Sequence, residues 1–138
     1  MKKLLIIAIL AISITACKEK VTEPAGPTQM EQVVALHDEL MPQMGTMSEL
    51  IGKLEASMDT TQVDSMKLTA IQNLKGANQE MMSWMMDFGN AFESGEVFGE
   101  VALTEEKANT LTIFEKRAQE LKSSMEAAMV NAEKLLSN

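Results

Sequence analysis

Residues 37–45 of this chain have the sequence HDELMPQMG and contain its only histidine, His37, together with two methionines. A second stretch, residues 81–86, has the sequence MMSWMM and contains its only tryptophan, Trp84. Thioether sulfur is a soft ligand that favours Cu(I) and Ag(I), and imidazole also binds copper. An indole ring can lie over a bound cation. The candidate metal ligands are His37, Met41, Met44, Met82 and Met85, with Trp84 nearby.

The same residues have two other interpretations. Methionine is flexible, fills irregular gaps and favours helices, so a methionine stripe at helical spacing also fits an ordinary core. A lone histidine on an apolar helix face fits the same interpretation. Methionine-lined grooves also repack around varied apolar ligands or partner helices. Core packing, binding of Cu(I) or Ag(I), and binding of a protein partner or apolar ligand therefore stay open.

The first residues predict a lipoprotein leader, with residues 1–16 as its signal peptide. A short basic start precedes an apolar run over residues 4–14 that is too short to span a bilayer. The next residues, 14–17, are ITAC and resemble a bacterial lipobox, with isoleucine where leucine is usual. The match predicts that Cys17, the only cysteine, is the first mature residue and carries lipid such as palmitate. The alternative is an ordinary signal peptide and a free Cys17.

The chain after the leader is acidic. Lys2 and Lys3 are two of twelve Lys and Arg residues, against twenty Asp and Glu, so the mature part is more negative than the overall charge of −8. This balance argues against binding nucleic acid or anionic lipid through a basic patch. Residues 17–27 comprise the lipidated cysteine and a charged, Pro- and Gly-containing tether.

These features predict a lipid-anchored protein of the bacterial cell envelope. Lys18, directly after the predicted lipid site, does not resemble an inner-membrane retention signal, so we expect the outer membrane. The body would then lie in the periplasm or at the cell surface. Its expected partners are the membrane, through the N-terminal lipid, and a protein of the envelope.

The residue inventory excludes most kinds of catalytic site. One histidine and one lipidated cysteine leave no Cys–His nucleophile pair, and a helical di-iron site needs a second histidine. The sequence contains neither a phosphate-binding glycine loop nor the nucleophile elbow of hydrolases. We therefore expect a protein without enzymatic activity.

Apolar periodicity predicts an all-α domain over residues 28–138. Its first helix begins near Thr28, which has the T-x-x-E spacing of a capping box with Glu31. Pro42 cannot donate a helical hydrogen bond and disfavours helical angles at the residue before it, which predicts a kink or short break at residues 41–45. A complete break there would give four helices.

Two further helices complete a predicted three-helix up-down-up bundle. The second covers roughly residues 64–88, after a turn at residues 59–61, and the third begins after a cap at Thr104. Residues 89–103 predict an ordered loop whose phenylalanines pack onto the bundle. The short connections favour the up-down-up arrangement.

Counting along an antiparallel helix pair places the two methionine-rich stretches at one level. With a rise of about 1.5 Å per residue, a fold-back near residues 61–62 puts His37 beside residues 82–86. The methionines expected at the opposite end have no histidine among them and are assigned to the core. They are Met58, Met66, Met125 and Met129.

The HDELMPQMG stretch, followed by MMSWM at residues 81–85 and by Phe88, is similar to small lipoproteins from Bacteroidetes-type bacteria. Such sequences are sometimes labelled viral A-type inclusion protein, a label that reflects generic helical similarity. The resemblance covers most of the predicted domain. It implies an envelope lipoprotein with a helical body and implies no particular activity.

Overall fold

The structure is a computed structural model that describes residues 26–58 and 64–137. Those residues contain no strand, and three long helices pack against one another, which confirms the predicted fold class. The signal peptide, Cys17, most of the tether and the turn expected at residues 59–61 lie outside the described residues. None of the described helices has the length and apolarity needed to cross a membrane. The helices are α1 (Gln29–Ala56), α2 (Ser65–Ala91), α3 (Ser94–Val97) and α4 (Glu105–Leu136).

Side-chain caps define where the long helices begin. The Thr28 hydroxyl accepts a hydrogen bond from the Glu31 backbone N–H, and the Glu31 carboxylate accepts one from the Thr28 N–H at 2.6 Å, which confirms the predicted capping box. The pKa of Glu31 is held below its ordinary value, mainly by the hydrogen bond from the Thr28 backbone N–H and to a smaller extent by the Thr28 side chain. Thr104 caps α4 by accepting from the Lys107 N–H at 3.3 Å. Each cap satisfies a first-turn N–H that has no partner within the helix.

Helix α1 runs through Pro42 without interruption. Of the kink or short break predicted at residues 41–45, the break is therefore wrong, and the four-helix alternative does not arise there. Pro42 is exposed, whereas Leu40 and Met47 on either side are fully buried. Packing of these flanking turns outweighs the cost of an interior proline, about 3 kcal/mol relative to alanine.

Contacts at both ends show that α1 and α2 are antiparallel. Near the start of α2, the Lys67 Nζ donates to the carbonyl oxygen of Ser57, just beyond the end of α1, at 3.0 Å. Near the other end, His37 in the first half of α1 stacks on Trp84 in the second half of α2. The antiparallel pairing that places His37 beside residues 82–86 is confirmed.

Helix α4 runs parallel to α1. The Gln29 side chain at the start of α1 donates to the Glu115 carboxylate at 2.8 Å, and further along the same helices Lys122 donates to Glu39. The bond to Glu39 holds the pKa of Lys122 above its ordinary value. The three long helices therefore form the up-down-up bundle.

The core mixes aliphatic side chains with methionines. Met47, Met81 and Met125 are fully buried, one from each long helix. Lys122 of α4 pairs with Glu39, near the middle of α1. Met125 follows Lys122 by about one turn and therefore lies near the middle of the bundle. The sequence analysis had placed Met125 at the far end. The assignment of Met66 to the core is wrong, since 66% of that residue is exposed.

The connection between α2 and α4 was predicted as a loop, but α2 continues to Ala91 and the short helix α3 follows. Phe92 is buried against the bundle, as expected, but 78% of Phe98 is exposed to solvent. The short helix α3 lies between them and turns the chain so that Phe98 points away from the core.

Candidate functional site

Four aromatic side chains form one cluster at the end of the bundle where α1 begins. Trp84 and Phe88 of α2 stack with ring centroids 5.0 Å apart. Phe114 of α4 meets both rings edge-on, at 5.8 Å from Trp84 and 5.5 Å from Phe88. Phe92 closes the cluster at 4.9 Å from Phe88. Offset and edge-on pairs of this kind stabilise a fold beyond the apolar area that they bury.

Polar contacts fix the orientation of this cluster. The buried Trp84 donates from Nε1 to the main-chain carbonyl oxygen of Phe114 at 3.0 Å. The Arg117 guanidinium lies 5.3 Å from the centroid of the Phe114 ring and pairs with Asp87 of α2 at 2.9 Å. The indole is therefore held by its N–H as well as by packing, and it presents a rigid surface to α1.

His37 lies on that surface. Its ring stacks on Trp84 with centroids 6.0 Å apart and an interplanar angle of 20°. The His37 Nδ1 is 3.0 Å from the Asp38 carboxylate, and 28% of the histidine side chain remains exposed. Since an ionised carboxylate can only accept, Nδ1 carries the hydrogen of this bond. In the neutral imidazole, Nε2 then holds the free lone pair.

Histidines that ligate metals almost always donate their other ring N–H to a carboxylate, a backbone carbonyl or water. In such sites the carboxylate fixes the tautomer and raises the basicity of the ligating nitrogen. The sequence analysis did not single out Asp38, because its bond to His37 depends on a side-chain rotamer.

The methionines predicted as ligands differ in exposure. On α1, Met41 is 38% exposed, and Met44 is half-buried against the core. On α2, Met82 is 62% exposed, and Met85 is half-buried. All four therefore differ from fully buried core methionines such as Met47. Sequence reasoning did not single out Met86, which follows Met85 in the chain and is 64% exposed.

An unused acceptor lies one helical turn before Met82. The Asn78 Oδ1 is buried and makes no hydrogen bond. A buried polar atom without a partner is costly and invites an explanation. Asn78 is on the side of α2 that carries Met85, two turns away along the helix.

The donors at this seam are soft ones. Within residues 26–58 and 64–137, no three or more side chains of His, Cys, Asp or Glu come together as a metal-binding group. The imidazole of His37 and the thioethers of the predicted methionine ligands, none of them fully buried, are the donor types that suit Cu(I) or Ag(I). We call the set His37, Met41, Met44, Met82 and Met85 the Met/His seam.

No family model matches the sequence, and comparisons with curated proteins and with solved structures find no similar chain. The functional argument therefore depends on the geometry of the Met/His seam and its surroundings.

Proposed function

We propose that this chain is a non-enzymatic envelope lipoprotein whose helical bundle binds one Cu(I) or Ag(I) ion at the Met/His seam. The observation that carries the proposal is the His37–Asp38 bond. This bond places the ring hydrogen on Nδ1 and leaves Nε2 available as a ligand. The stacking of His37 on Trp84 brings the histidine to the level of the bundle where α2 carries Met82 and Met85.

The proposed ligands divide into one nitrogen and several sulfurs. His37 supplies Nε2, and Met41 lies one turn further along α1, on the same stripe. Met82 and Met85 approach from α2, because the antiparallel pairing brings residues 82–86 to the level of His37. Soft thioether ligands select monovalent copper or silver over Zn²⁺, Ca²⁺ and Mg²⁺, which prefer harder donors.

Pro42 contributes to the proposed site through Asp38. The helix is continuous at the proline, so the effect is local to the backbone. Proline at this position removes the hydrogen bond to the carbonyl of Asp38, four residues earlier. The backbone carbonyl of Asp38 therefore lacks its helical hydrogen bond, and the backbone of Asp38 is less restrained than that of its neighbours.

Silver titration tests the proposal directly. One equivalent of Ag(I), added to the chain without its leader and cysteine, is expected to raise the melting temperature and to quench Trp84 fluorescence. A ligand that binds only the folded state stabilises it in proportion to the logarithm of its concentration over Kd. Trp84 reports binding because it stacks on the proposed nitrogen ligand.

Matched variants make the result specific. The double variant His37→Ala/Met41→Leu is expected to lose both effects of silver. Met66→Leu removes an exposed thioether near the start of α2, far from His37, and is expected to keep both. No response of the unaltered chain to micromolar Ag(I), or an equal loss in the Met66 variant, would contradict the proposal.

A second candidate function is a protein-interaction or apolar-ligand surface that uses the same methionines without a metal. The observation in its favour is the exposure of Met82 and Met86, at 62% and 64%. Flexible thioether surfaces adapt to varied partners. A photo-crosslinking residue at Met86 tests it in the native envelope, with one at the exposed Val130 of α4 as control. A defined adduct from position 86 alone supports it, and equal or absent crosslinking at the two positions contradicts it.

A further inference from the structure

One aromatic residue does not join the cluster. The chain has four phenylalanines, one tryptophan and no tyrosine. All of them pack together except Phe98, which is 78% exposed. Val101, three residues later, is 56% exposed. These two side chains form an apolar projection on the connection between α2 and α4.

The backbone of this projection is held by its own hydrogen bonds. The N–H of Phe98 donates to the Ser94 carbonyl at 2.9 Å, and the N–H groups of Glu100 and Val101 donate to the Gly95 carbonyl at 2.7 and 3.0 Å. Gly99 has a φ of 74°, a left-handed conformation that glycine adopts without strain. The exposed side chains are therefore presented on an ordered turn.

Glu96 attaches this turn to the rest of the bundle. Its buried carboxylate accepts a hydrogen bond from the Lys107 Nζ of α4 at 2.5 Å and another from the Glu93 N–H at 2.9 Å. A carboxylate is rarely buried unless it is paired, as it is here. The position of Phe98 relative to α4 is thus fixed by an ion pair and by the turn itself.

The projection lies at the end of the bundle where the chain comes from its predicted lipid. Phe98 and Val97 line a cleft of about 410 Å³ together with Thr28 and Val34 of the α1 start. The ten residues 18–27 separate Thr28 from Cys17. They can span at most about 35 Å when fully extended. An acylated Cys17 would therefore keep the start of α1, which shares this cleft with Phe98, within about 35 Å of the lipid surface.

We propose that Phe98 and Val101 insert into a zwitterionic lipid surface and form a second, non-covalent membrane contact. The inference depends on the predicted acylation of Cys17 and is independent of metal binding. The lipid anchor raises the effective concentration of a weak membrane-binding site at the lipid surface. Two apolar side chains then suffice for binding, although they would not hold a protein without an anchor at the membrane. Their insertion would orient the bundle with its aromatic end toward the membrane.

The surrounding charges select the kind of lipid. Glu100 lies between the two apolar residues, and Glu105 begins α4 close by. Carboxylates at this end are repelled by an anionic surface. A zwitterionic surface carries no such penalty, and Glu100 can remain among the head groups while its neighbours insert.

Quenching by brominated lipid tests the contact. The full acylated protein, purified from membranes, is reconstituted into phosphatidylcholine vesicles with plain or dibrominated acyl chains. The Phe98→Trp variant has a second tryptophan, and its fluorescence is expected to be quenched in the brominated vesicles. The tryptophan of the Val130→Trp variant, near the far end of α4, is expected to keep its fluorescence in both lipids.

Each other outcome overturns the proposal. If the protein floats with the vesicles and the Phe98→Trp emission is the same in both lipids, the projection does not insert. If both tryptophan variants are quenched alike, the bundle lies on its side. If the protein does not float at all, the anchor that the proposal requires is absent. Replacing part of the lipid with phosphatidylglycerol is expected to reduce the quenching, and stronger quenching would contradict the zwitterionic preference.

Discussion

The indole of Trp84 donates a hydrogen bond to the main-chain carbonyl oxygen of Phe114, at 3.0 Å, across the interface between α2 and α4. The bond is buried, so water cannot replace it when it is lost. Trp84→Phe keeps an aromatic ring but removes the donor. We expect the free energy of unfolding to fall by about 0.5–1.5 kcal/mol from the hydrogen bond, with a further loss from the smaller ring.

Urea unfolding measures this change, and Phe98→Leu is its control. Phe98 is the one exposed aromatic residue, so its replacement is expected to change stability by no more than about 0.5 kcal/mol. Equal effects of the two substitutions would contradict the importance of the aromatic cluster.

Asp38→Ala tests the orientation of His37. The Asp38 side chain is 70% exposed and contributes little to packing, so the metal-free protein is expected to keep its melting temperature. Loss of the carboxylate should weaken silver binding by about 10-fold or more, because partners of ligating histidines contribute on this scale. Isothermal titration with Ag(I) gives the affinity. Glu49→Ala, an exposed acidic residue later in α1, removes the same charge and is expected to bind silver as the unaltered chain does.

Pro42→Ala is expected to stabilise the bundle. The helix is already continuous at this exposed position, so alanine restores a backbone donor without disturbing a buried contact. The gain can reach about 3 kcal/mol, the difference between the two residues inside a helix. Thermal melting followed by circular dichroism measures it. A lower melting temperature of the alanine variant would contradict this expectation and would show that the packing of α1 requires the proline.

Acid should remove the contribution of Glu96. Two hydrogen bonds hold the pKa of Glu96 below its ordinary value of 4.5. The bond from Lys107 has the larger effect, and the bond from the Glu93 N–H has the smaller one. The folded state therefore favours the ionised form, and this contribution is fully present above pH 4.5 and lost as the pH falls through the lowered folded-state pKa. Glu96→Gln should destabilise the protein at neutral pH. Its difference from the unaltered chain in urea unfolding should shrink below pH 4.5, and a difference that is the same at pH 7 and pH 3 would contradict this account.

Acylation at Cys17 is tested by metabolic labelling with a clickable fatty acid. The unaltered protein is expected to carry the label, and Cys17→Ser is expected to lack it, because the thiol is the only acceptor in the lipobox. Labelling of the serine variant would show that the lipid, if present, is attached elsewhere.

The fold was predictable because local signals agree with one another. The apolar spacing of α1, α2 and α4 follows the helical period, and both the Thr28 and Thr104 caps lie where their sequence patterns indicate. Counting from the turn also brought His37 to the correct level of α2. These features depend on helix geometry alone, which is the same in every helix.

The errors concern features that depend on the whole bundle. The local cost of Pro42 predicts a break, but the contacts of the buried Leu40 and Met47 with other helices exceed that cost. Phe98 is apolar and was therefore assigned to the core, although the hydrogen bonds of its turn direct it outward. The His37–Asp38 bond depends on a side-chain rotamer, which spacing does not specify. Each of these outcomes is decided by partners distant in sequence or by torsions that a pattern of residue types does not contain.

The concentration of aromatic rings at one end of the bundle determines the order in which the molecule should come apart. His37, Trp84 and Phe114 tie all three long helices together there, whereas the buried side chains described at the opposite end are aliphatic, such as Leu54, Ile71 and Ala132. Regions with fewer large buried contacts open at lower free energy. Amide hydrogen exchange should therefore proceed by local opening at the end of α1 and the start of α2. Amides near the rings should exchange only when the entire chain unfolds.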